Sequence, residues 1–318
     1  MPATPSSSST WAPSFVSPSR RQQWAFALIF VTPALWTVNY VVARSAAPTV
    51  APHMLAFWRW LLAGLLLGTM SWREIAARPD ALRREWHQFF ILGALGMWIC
   101  GAFVYIAGRT TSATNIGLIY GLSPVLIAMA SPLLLKERIG AFQIAGTAVA
   151  LAGFLHIVLK GQWRSLVAVD LTPGDWWIFC AAIAWAGYTL LLKAWPTAFS
   201  PLARLTLVSL AGAVVLLPFA IGEAIWFMPT EVSWRTFGYV AATAVIPGVG
   251  AYLAYSFILR EIGAARVAVV LYLGPIYGAI IGWIALGESV RAFHWAGGAL
   301  ILPGIYLATR PSGRRGQT

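Results

Sequence analysis

Long apolar runs dominate the chain and are separated by short segments that carry most of its charges. A stretch of about 20 apolar residues is enough for an α-helix to cross the hydrocarbon core of a bilayer. The pattern therefore predicts ten membrane-spanning helices and leaves no room for a large domain outside the membrane. The predicted spans cover about residues 23–43, 53–71, 88–107, 113–134, 140–159, 175–193, 202–221, 236–258, 264–285 and 292–309.

The composition agrees with an integral membrane protein, since 59% of the residues are hydrophobic, 10% are charged and the mean hydropathy is +0.74. A soluble globular domain carries about 25% charged residues, so a water-soluble enzyme is excluded. Cys100 and Cys180 both lie in apolar runs and are interpreted as small buried hydrophobes. The four histidines form no ligand pattern with carboxylates or thiols, so we expect neither a metal nor a cofactor.

The net charge of +12 is spread singly between the apolar runs, which is typical of membrane topology and argues against a nucleic-acid partner. Fifteen Lys and Arg residues fall on one side of the ten predicted spans and six on the other. Because loops rich in Lys and Arg stay in the cytoplasm, we expect both termini there. Residues 1–22 are predicted to form a disordered cytoplasmic tail, and residues 310–318 a second cytoplasmic tail.

The chain contains an internal repeat. When it is shifted by 151 residues, 13 of the 41 positions between residues 113 and 153 are identical, without a gap. A shared apolar bias does not explain why proline, glutamate and glycine also match. The pairs in register are Pro124 with Pro275, Glu137 with Glu288, Gly146 with Gly297, and Gly153 with Gly304.

Each copy holds five predicted spans, an odd number, so the two copies must cross the membrane in opposite directions. This predicts an all-α integral membrane fold with ten transmembrane helices, arranged as two inverted five-helix repeats around a central cavity. The predicted domains are residues 23–159 and 175–309, joined by an external linker at 160–174. Inverted repeats are an architecture of secondary transporters, in which the substrate binds near the midplane between the halves.

Several short motifs are similar to those of the drug/metabolite transporter superfamily, and specifically of its ten-helix EamA-type branch. The matching stretches are Phe57-Trp58-Arg59, Thr111-Ser112-Ala113, Leu122-Ser123-Pro124 with Leu135-Lys136-Glu137-Arg138, and a second copy in Gly263-Ala264-Ala265-Arg266, Gly274-Pro275 and Leu286-Gly287-Glu288. The second copy departs from the first in having Ser289 where the first has Arg138. The 17 tryptophans make the chain look most like the bacterial aromatic amino acid exporters.

This resemblance implies a secondary transporter of the inner (plasma) membrane that exports small neutral amphiphilic metabolites by alternating access. Aromatic and other large apolar amino acids are the expected substrates. Purines, nucleosides or vitamins are the alternative on the same scaffold. The direction of transport is implied by the resemblance alone.

Four predicted helices present aromatic and polar side chains on one face, at positions i, i+3, i+4 or i+7. Such faces suit an amphiphilic substrate, which needs apolar walls and a few hydrogen-bonding groups. The alternative is a belt of Trp and Tyr at the membrane surface. Asn39 fits a substrate contact and a packing hydrogen bond between helices equally well. The predicted substrate-binding residues are Trp36, Asn39, Tyr40, Trp98, Tyr105, Trp185, Tyr188, Tyr252 and Tyr255.

Three further residues are predicted to bend helices or to gate the cavity. Pro124 and Pro275 interrupt the hydrogen-bond ladders of equivalent helices. Arg59 lies ~10 Å inside the second helix, where a charge is costly. We favour a structural or gating role for it, with attraction of a substrate carboxylate as the alternative. Glu137 and Glu288 are expected to stabilise helix N-termini.

Other classes of membrane protein are disfavoured. The sequence holds no paired carboxylates, His-Glu-x-x-His motif or Ser/His pair at membrane depth, as a membrane-embedded enzyme would need. A channel would need a recurring ring of like polar residues. Carriers coupled to protons or sodium place acidic groups within their spans, and no Asp or Glu lies at mid-span here. We therefore expect transport of a small molecule across the lipid bilayer without ion coupling. The argument is stronger against protons than against sodium, because backbone carbonyls freed at Pro124 or Pro275 can also hold sodium. We also expect the protein to be a monomer.

Overall fold

The computed structural model describes residues 19–46, 48–107, 109–110, 119–166, 172–227, 230–286 and 289–309. Within these ranges, ten helical stretches correspond in order to the ten predicted spans, and no β-strand is present. Their bounds are α1 (Arg20–Ala46), α2 (Pro52–Ala76), α3 (Pro79–Ala107), α4 (Ser123–Leu135), α5 (Ala141–Val158), α6 (Pro173–Ala194), α7 (Pro201–Trp226), α8 (Trp234–Ile262), α9 (Ala264–Val267, Ala268–Leu273 and Gly274–Leu286) and α10 (Ala292–Thr309).

The helices have the length and surface of membrane spans. Six of those in the described ranges, namely α2, α3, α5, α6, α7 and α8, are long and apolar enough to cross a bilayer, while α4 and the first part of α9 are shorter apolar helices. Large apolar side chains such as Met70, Leu133 and Ile284 lie exposed on the outside of the bundle. The protein is therefore an all-α integral membrane protein, in which lipid covers these side chains.

Proline and hydroxyl side chains set the beginnings of several helices. Pro52, Pro79, Pro173 and Pro201 occupy the first turns of α2, α3, α6 and α7, where the missing N–H of proline costs no hydrogen bond. The Oγ atom of Ser200 also accepts a hydrogen bond from the backbone N–H of Ala203, at 3.2 Å, as an N-cap.

The two halves pack against each other with the symmetry that an inverted repeat requires. Helix α2 lies along α7, and α5 lies along α10, so that each pair joins equivalent helices of the two halves. Helix α1 packs on α8 and α9 of the second half, and its equivalent α6 packs on α3 and α4 of the first. Exchanging the halves therefore reproduces the packing, and the fold is two five-helix repeats of opposite orientation.

The glycines that reveal the repeat in the sequence form the contact between α5 and α10. A Cβ atom on Gly146 would lie 2.6 Å from the carbonyl oxygen of Gly304, and one on Gly153 would lie 2.6 Å from that of Gly297. The shift of 151 residues converts one contact into the other. Small residues allow the close backbone approach by which helices associate in membranes.

Equivalent helices are also distorted at equivalent places. Helix α3 contains the π-helical segment Ala94–Ile99, and α8 contains the π-helical segment Ala244–Ala251. In α4 and α9 the regular helix restarts one residue before Pro124 and Pro275, after a turn and after the 3₁₀ segment Ala268–Leu273, respectively. Both prolines thus lie in the first turn of a helix that follows irregular backbone.

Glu137 stabilises a helix N-terminus, as expected, but the helix belongs to the other half. Its carboxylate oxygens accept hydrogen bonds from the backbone N–H groups of Ala264 (3.1 Å) and Ala265 (3.4 Å) at the beginning of α9. Gly263, with φ of 91°, brings the chain over this carboxylate. The equivalent Glu288 lies outside the described residues, as does the motif at 111–113.

The predicted spans end too early at one side of the bundle. Residues 72–87, predicted to be a loop, are helical except for a two-residue connection, because α2 continues to Ala76 and α3 begins at Pro79. Charged residues in this region lowered its apolar character, yet Glu85 is buried and receives hydrogen bonds from Thr197 Oγ1 (2.7 Å) and Ala198 N (3.1 Å). These bonds attach α3 to the connection between α6 and α7.

Substitution of Gly146 by Ala should destabilise the protein, because the added methyl group would overlap backbone atoms of α10. We expect a loss of about 1–3 kcal/mol, typical of overpacking. Gly238→Ala is the control, since a Cβ atom there meets nothing within 4 Å. Thermal unfolding of both variants in detergent micelles checks the prediction, and equal midpoints would contradict the close contact of α5 with α10.

Candidate functional site

Aromatic side chains of both halves meet in the interior of the bundle. Trp36 of α1 lies 5.4 Å from Trp185 of α6 and 5.4 Å from Tyr255 of α8, measured between ring centroids. Trp185 also contacts the rings of Tyr188 (5.5 Å), Tyr252 (5.9 Å) and Tyr255 (5.1 Å). We call this group the aromatic cluster, and its members are Trp36, Trp60, Trp185, Tyr188, Tyr252 and Tyr255.

Two tyrosines of this cluster, Tyr252 and Tyr255, are fixed by hydrogen bonds. The hydroxyl of Tyr255 lies 3.0 Å from that of Thr189. The hydroxyl of Tyr252 donates to the carbonyl oxygen of Gly96 at 3.2 Å. Gly96 belongs to the π-helical segment of α3, and a Cβ atom there would lie 2.6 Å from the ring of Tyr188. The distorted segment thus gives Tyr252 an acceptor and leaves space for Tyr188.

A group of hydrogen-bonded polar residues adjoins the aromatic cluster, and we call it the polar cluster: Asn39, Arg59 and Tyr105. The Oδ1 atom of Asn39 accepts from Arg59 Nη1 at 3.0 Å and from Tyr105 Oη at 2.6 Å. The guanidinium of Arg59 also lies over the ring of Trp60, 4.5 Å from its centroid. Among the described residues, no carboxylate pairs with Arg59 and its Nε atom has no hydrogen-bond partner, although the residue is buried.

The structure separates one predicted residue from the others. Trp98 stacks on Phe219 of α7 at a centroid distance of 4.2 Å, with the two rings inclined by 21°, and also contacts Phe103. No ring contact joins it to the aromatic cluster in the described residues. The backbone of Tyr40 lies in α1, but its side chain is outside what the structure describes.

A cavity of about 320 Å³ lies on the other side of the aromatic cluster, between α6, α7 and α8. Tyr188 lines it at one end and the exposed Arg260 at the other. Lys193 and the buried Arg204 also line it, together with apolar residues such as Leu205 and Val208. We call it the basic cavity. Of the predicted residues, Tyr188 alone belongs to its lining.

Three buried residues are absent from the predicted set, two of them members of these groups. Trp60 is fully buried beside Tyr252 at 4.8 Å, and its position next to Arg59 in a helix was the available signal. Arg204 falls near the beginning of the predicted span 202–221, and the structure buries it in the first turn of α7. Near the end of α7, the Oε2 atom of Glu223 accepts a hydrogen bond from the backbone N–H of His53 at 2.7 Å. The same oxygen lies 3.4 Å from the Nδ1 atom of His53.

The site thus has three parts: the polar cluster in the first half, the aromatic cluster, which joins the two halves, and the basic cavity in the second half. Aromatic rings bind apolar and planar groups, and guanidinium groups bind carboxylates. These groups offer binding contacts to a small molecule. Two inverted helical halves that enclose such a site define a membrane transporter, not an enzyme.

The family of the chain follows from comparison with known proteins. Residues 23–159 and 172–310 each match the EamA-like transporter family. These two segments make up most of the chain, which therefore belongs to that family.

Individual relatives are similar over nearly their whole length. An "Uncharacterized transporter" of Archaeoglobus fulgidus is 27% identical, with 89% of this chain and 96% of the relative covered. A "Probable terminal-alkyne amino-acid exporter" of Streptantibioticus cattleyicolor is 25% identical, with 92% and 95% covered. An "S-adenosylmethionine/S-adenosylhomocysteine transporter" of Chlamydia muridarum is 23% identical, with 83% and 85% covered.

A solved crystal structure shares the fold. It superimposes with a TM-score of 0.69 at 22% identity and covers 90% of this chain and 97% of the other. This likeness concerns the arrangement of the helices alone.

Substitution of Asn39 by Leu should destabilise the protein, because it removes the acceptor that Arg59 and Tyr105 share. We expect a loss of about 1–3 kcal/mol, typical of a buried donor left without its partner. Tyr105→Phe leaves Asn39 available to Arg59 and should cost less. Thermal unfolding of the two variants tests the order, and a larger loss for Tyr105→Phe would argue against Asn39 as the central acceptor.

Proposed function

We propose that this transporter exports amino acids with aromatic or other large apolar side chains across the inner membrane, by alternating access of a monomer and without ion coupling. The aromatic cluster carries the proposal, because it joins α1 of the first half to α6 and α8 of the second. A substrate among these rings would be held by both halves. Rocking of the halves would then move it from one side of the membrane to the other.

The unpaired polar groups beside the cluster favour a substrate that accepts hydrogen bonds. Arg59 Nε and the indole N–H of Trp60 are both buried donors without a partner in the described part of the chain. A carboxylate satisfies such donors, and its charge would balance the buried guanidinium. An amino acid offers this carboxylate together with an apolar side chain for the rings.

The names of two relatives support the same chemistry. One is that of an amino-acid exporter, and the other names S-adenosylmethionine and S-adenosylhomocysteine. Both of these adenosyl compounds carry an amino-acid group. The second name also favours the alternative substrate class, since an adenine ring stacks on aromatic side chains. A nucleoside-bearing amphiphile is therefore the second candidate.

The proposed direction depends on the side of the membrane that the basic cavity faces. Lys193 and Arg260 lie at the end of the bundle that the excess of basic residues assigns to the cytoplasm. The cavity begins there and ends at Tyr188. A substrate from the cytoplasm would enter it first, and both termini would then be cytoplasmic.

Transport by purified protein in liposomes tests the substrate. We expect uptake of labelled phenylalanine, tryptophan and leucine, and little uptake of lysine or glutamate. The Trp36→Ala, Trp185→Ala double variant should reduce uptake about tenfold or more, since each aromatic contact contributes ~0.5–1.5 kcal/mol. Trp295→Ala, at an exposed tryptophan of α10, is the matched control. Full uptake by the double variant would contradict the role of the aromatic cluster.

Counterflow measures the energy source. With equal ion concentrations on both sides, liposomes preloaded with unlabelled substrate should accumulate the labelled form, as a carrier driven by its substrate gradient does. An imposed proton or sodium gradient should not drive net uptake. Glu223→Gln should leave exchange unchanged, although the buried Glu223 lies 3.4 Å from Nδ1 of the partly buried His53. Uphill accumulation driven by either ion would overturn uncoupled transport.

A further inference from the structure

The basic cavity contains a buried cation, Arg204, in which one of the three guanidinium nitrogen atoms has a hydrogen-bond partner in the described part of the chain. Arg204 is 8% exposed, and its Nη1 atom donates to the carbonyl oxygen of Leu192 at 2.8 Å. Its Nε and Nη2 atoms are buried and have no hydrogen-bond partner among the described residues. A guanidinium placed in this way costs free energy unless another group pairs with it.

The two unpaired nitrogen atoms share one edge of the guanidinium. Their N–H bonds are parallel, and their spacing matches the two oxygen atoms of a carboxylate, which can accept both at once. An ammonium or a carbonyl group would not use this geometry. The unpaired edge is therefore specific for a carboxylate or an anion of similar shape.

None of the charged groups described around the cavity forms a hydrogen bond with the unpaired edge of Arg204. Lys193 Nζ donates to the carbonyl oxygens of Leu259 and Arg260, both at 3.2 Å. The carboxylate of Glu85 already accepts bonds from the connection between α6 and α7. Among the described residues, the lining of the cavity contains three basic residues and no Asp or Glu. Its electrostatic potential thus favours an anionic group.

We propose that the basic cavity is an entry site for the transported molecule, and that Arg204 binds its carboxylate there before the molecule reaches the aromatic cluster. This inference rests on the proposed function. Leu205 and Val208 supply an apolar wall beside Arg204, and Tyr188 connects the cavity to Trp185. Because Nε and Nη2 are covered in the present conformation, binding includes a turn of the Arg204 side chain toward the cavity that it lines.

A comparison of phenylalanine with phenylalaninamide isolates the carboxylate. Binding of each to the purified protein is measured by titration calorimetry for the wild type, Arg204→Gln and Arg204→Lys. We expect Arg204→Gln to weaken phenylalanine binding about ten- to a hundredfold, the range for hydrogen bonds to charged groups. Binding of phenylalaninamide should change less than twofold, which also shows that the variant is folded. Arg204→Lys, which keeps the charge without the parallel N–H pair, should be intermediate.

Two controls distinguish binding of the amino acid at Arg204 from other causes of a changed affinity. Arg291→Gln, an exposed charge at the other end of the bundle, should leave both affinities unchanged. The variants are also reconstituted in phosphatidylcholine, with and without phosphatidylglycerol. An Arg204→Gln effect seen in the anionic bilayer alone would assign the cavity to a lipid headgroup and overturn the proposal. Unchanged phenylalanine affinity in Arg204→Gln would refute the entry site alone, whereas wild-type protein that binds and transports no amino acid would refute the proposed function as well.

Discussion

Helices inside a bilayer gain nothing from excluding water when they associate, because lipid tails are as apolar as the helices. The distance of closest approach between backbones therefore decides how tightly the halves join. In this transporter the glycines of α5 and α10 set that distance. Helices α2 and α7 add a hydroxyl pair, Ser71 and Thr206, whose oxygen atoms lie 2.9 Å apart. Both contacts join one half of the transporter to the other.

Two buried arginines, one on each side of the aromatic cluster, lower the stability of the fold. Arg59 is buried with Asn39, Tyr105 and the face of Trp60 as its surroundings, and none of these neutralises its charge. Arg204, at the other side of the aromatic cluster, has two guanidinium nitrogen atoms without a hydrogen-bond partner in the described residues. Both positions cost folding free energy, because a desolvated cation without a hydrogen-bonded counter-ion is unfavourable. For Arg204 the attraction of Glu85 offsets part of that cost. A carboxylate that passes between them would offset that cost at each position in turn.

The repeats can be predicted from the sequence because the glycines that match between the two copies are the same residues that form the contact between α5 and α10. Gly146, Gly153, Gly297 and Gly304 match in register since each is required where α5 meets α10. Helical spacing likewise brings Trp36 and Trp185 to one interior face. The same reasoning misplaces Trp98, whose direction depends on the π-helical segment in which it lies. It also misses Arg204, because burial at a helix end depends on the neighbouring connection rather than on local hydropathy.

Helices α3 and α8 contain π-helical segments. The directions of the side chains that follow these segments therefore depend on how many residues each segment holds, as well as on which residues they are. Each holds one residue more than an α-helix needs, and an α-helix advances about 100° for each residue. Loss of a single codon within Ala244–Ala251 would let α8 become regular and would turn Tyr252 and Tyr255 relative to the residues before them. Evolution can therefore change which side chains meet a cargo by a one-residue deletion or insertion, with the span itself intact. Alignments of such transporters that ignore gaps within helices would then pair residues that face different directions.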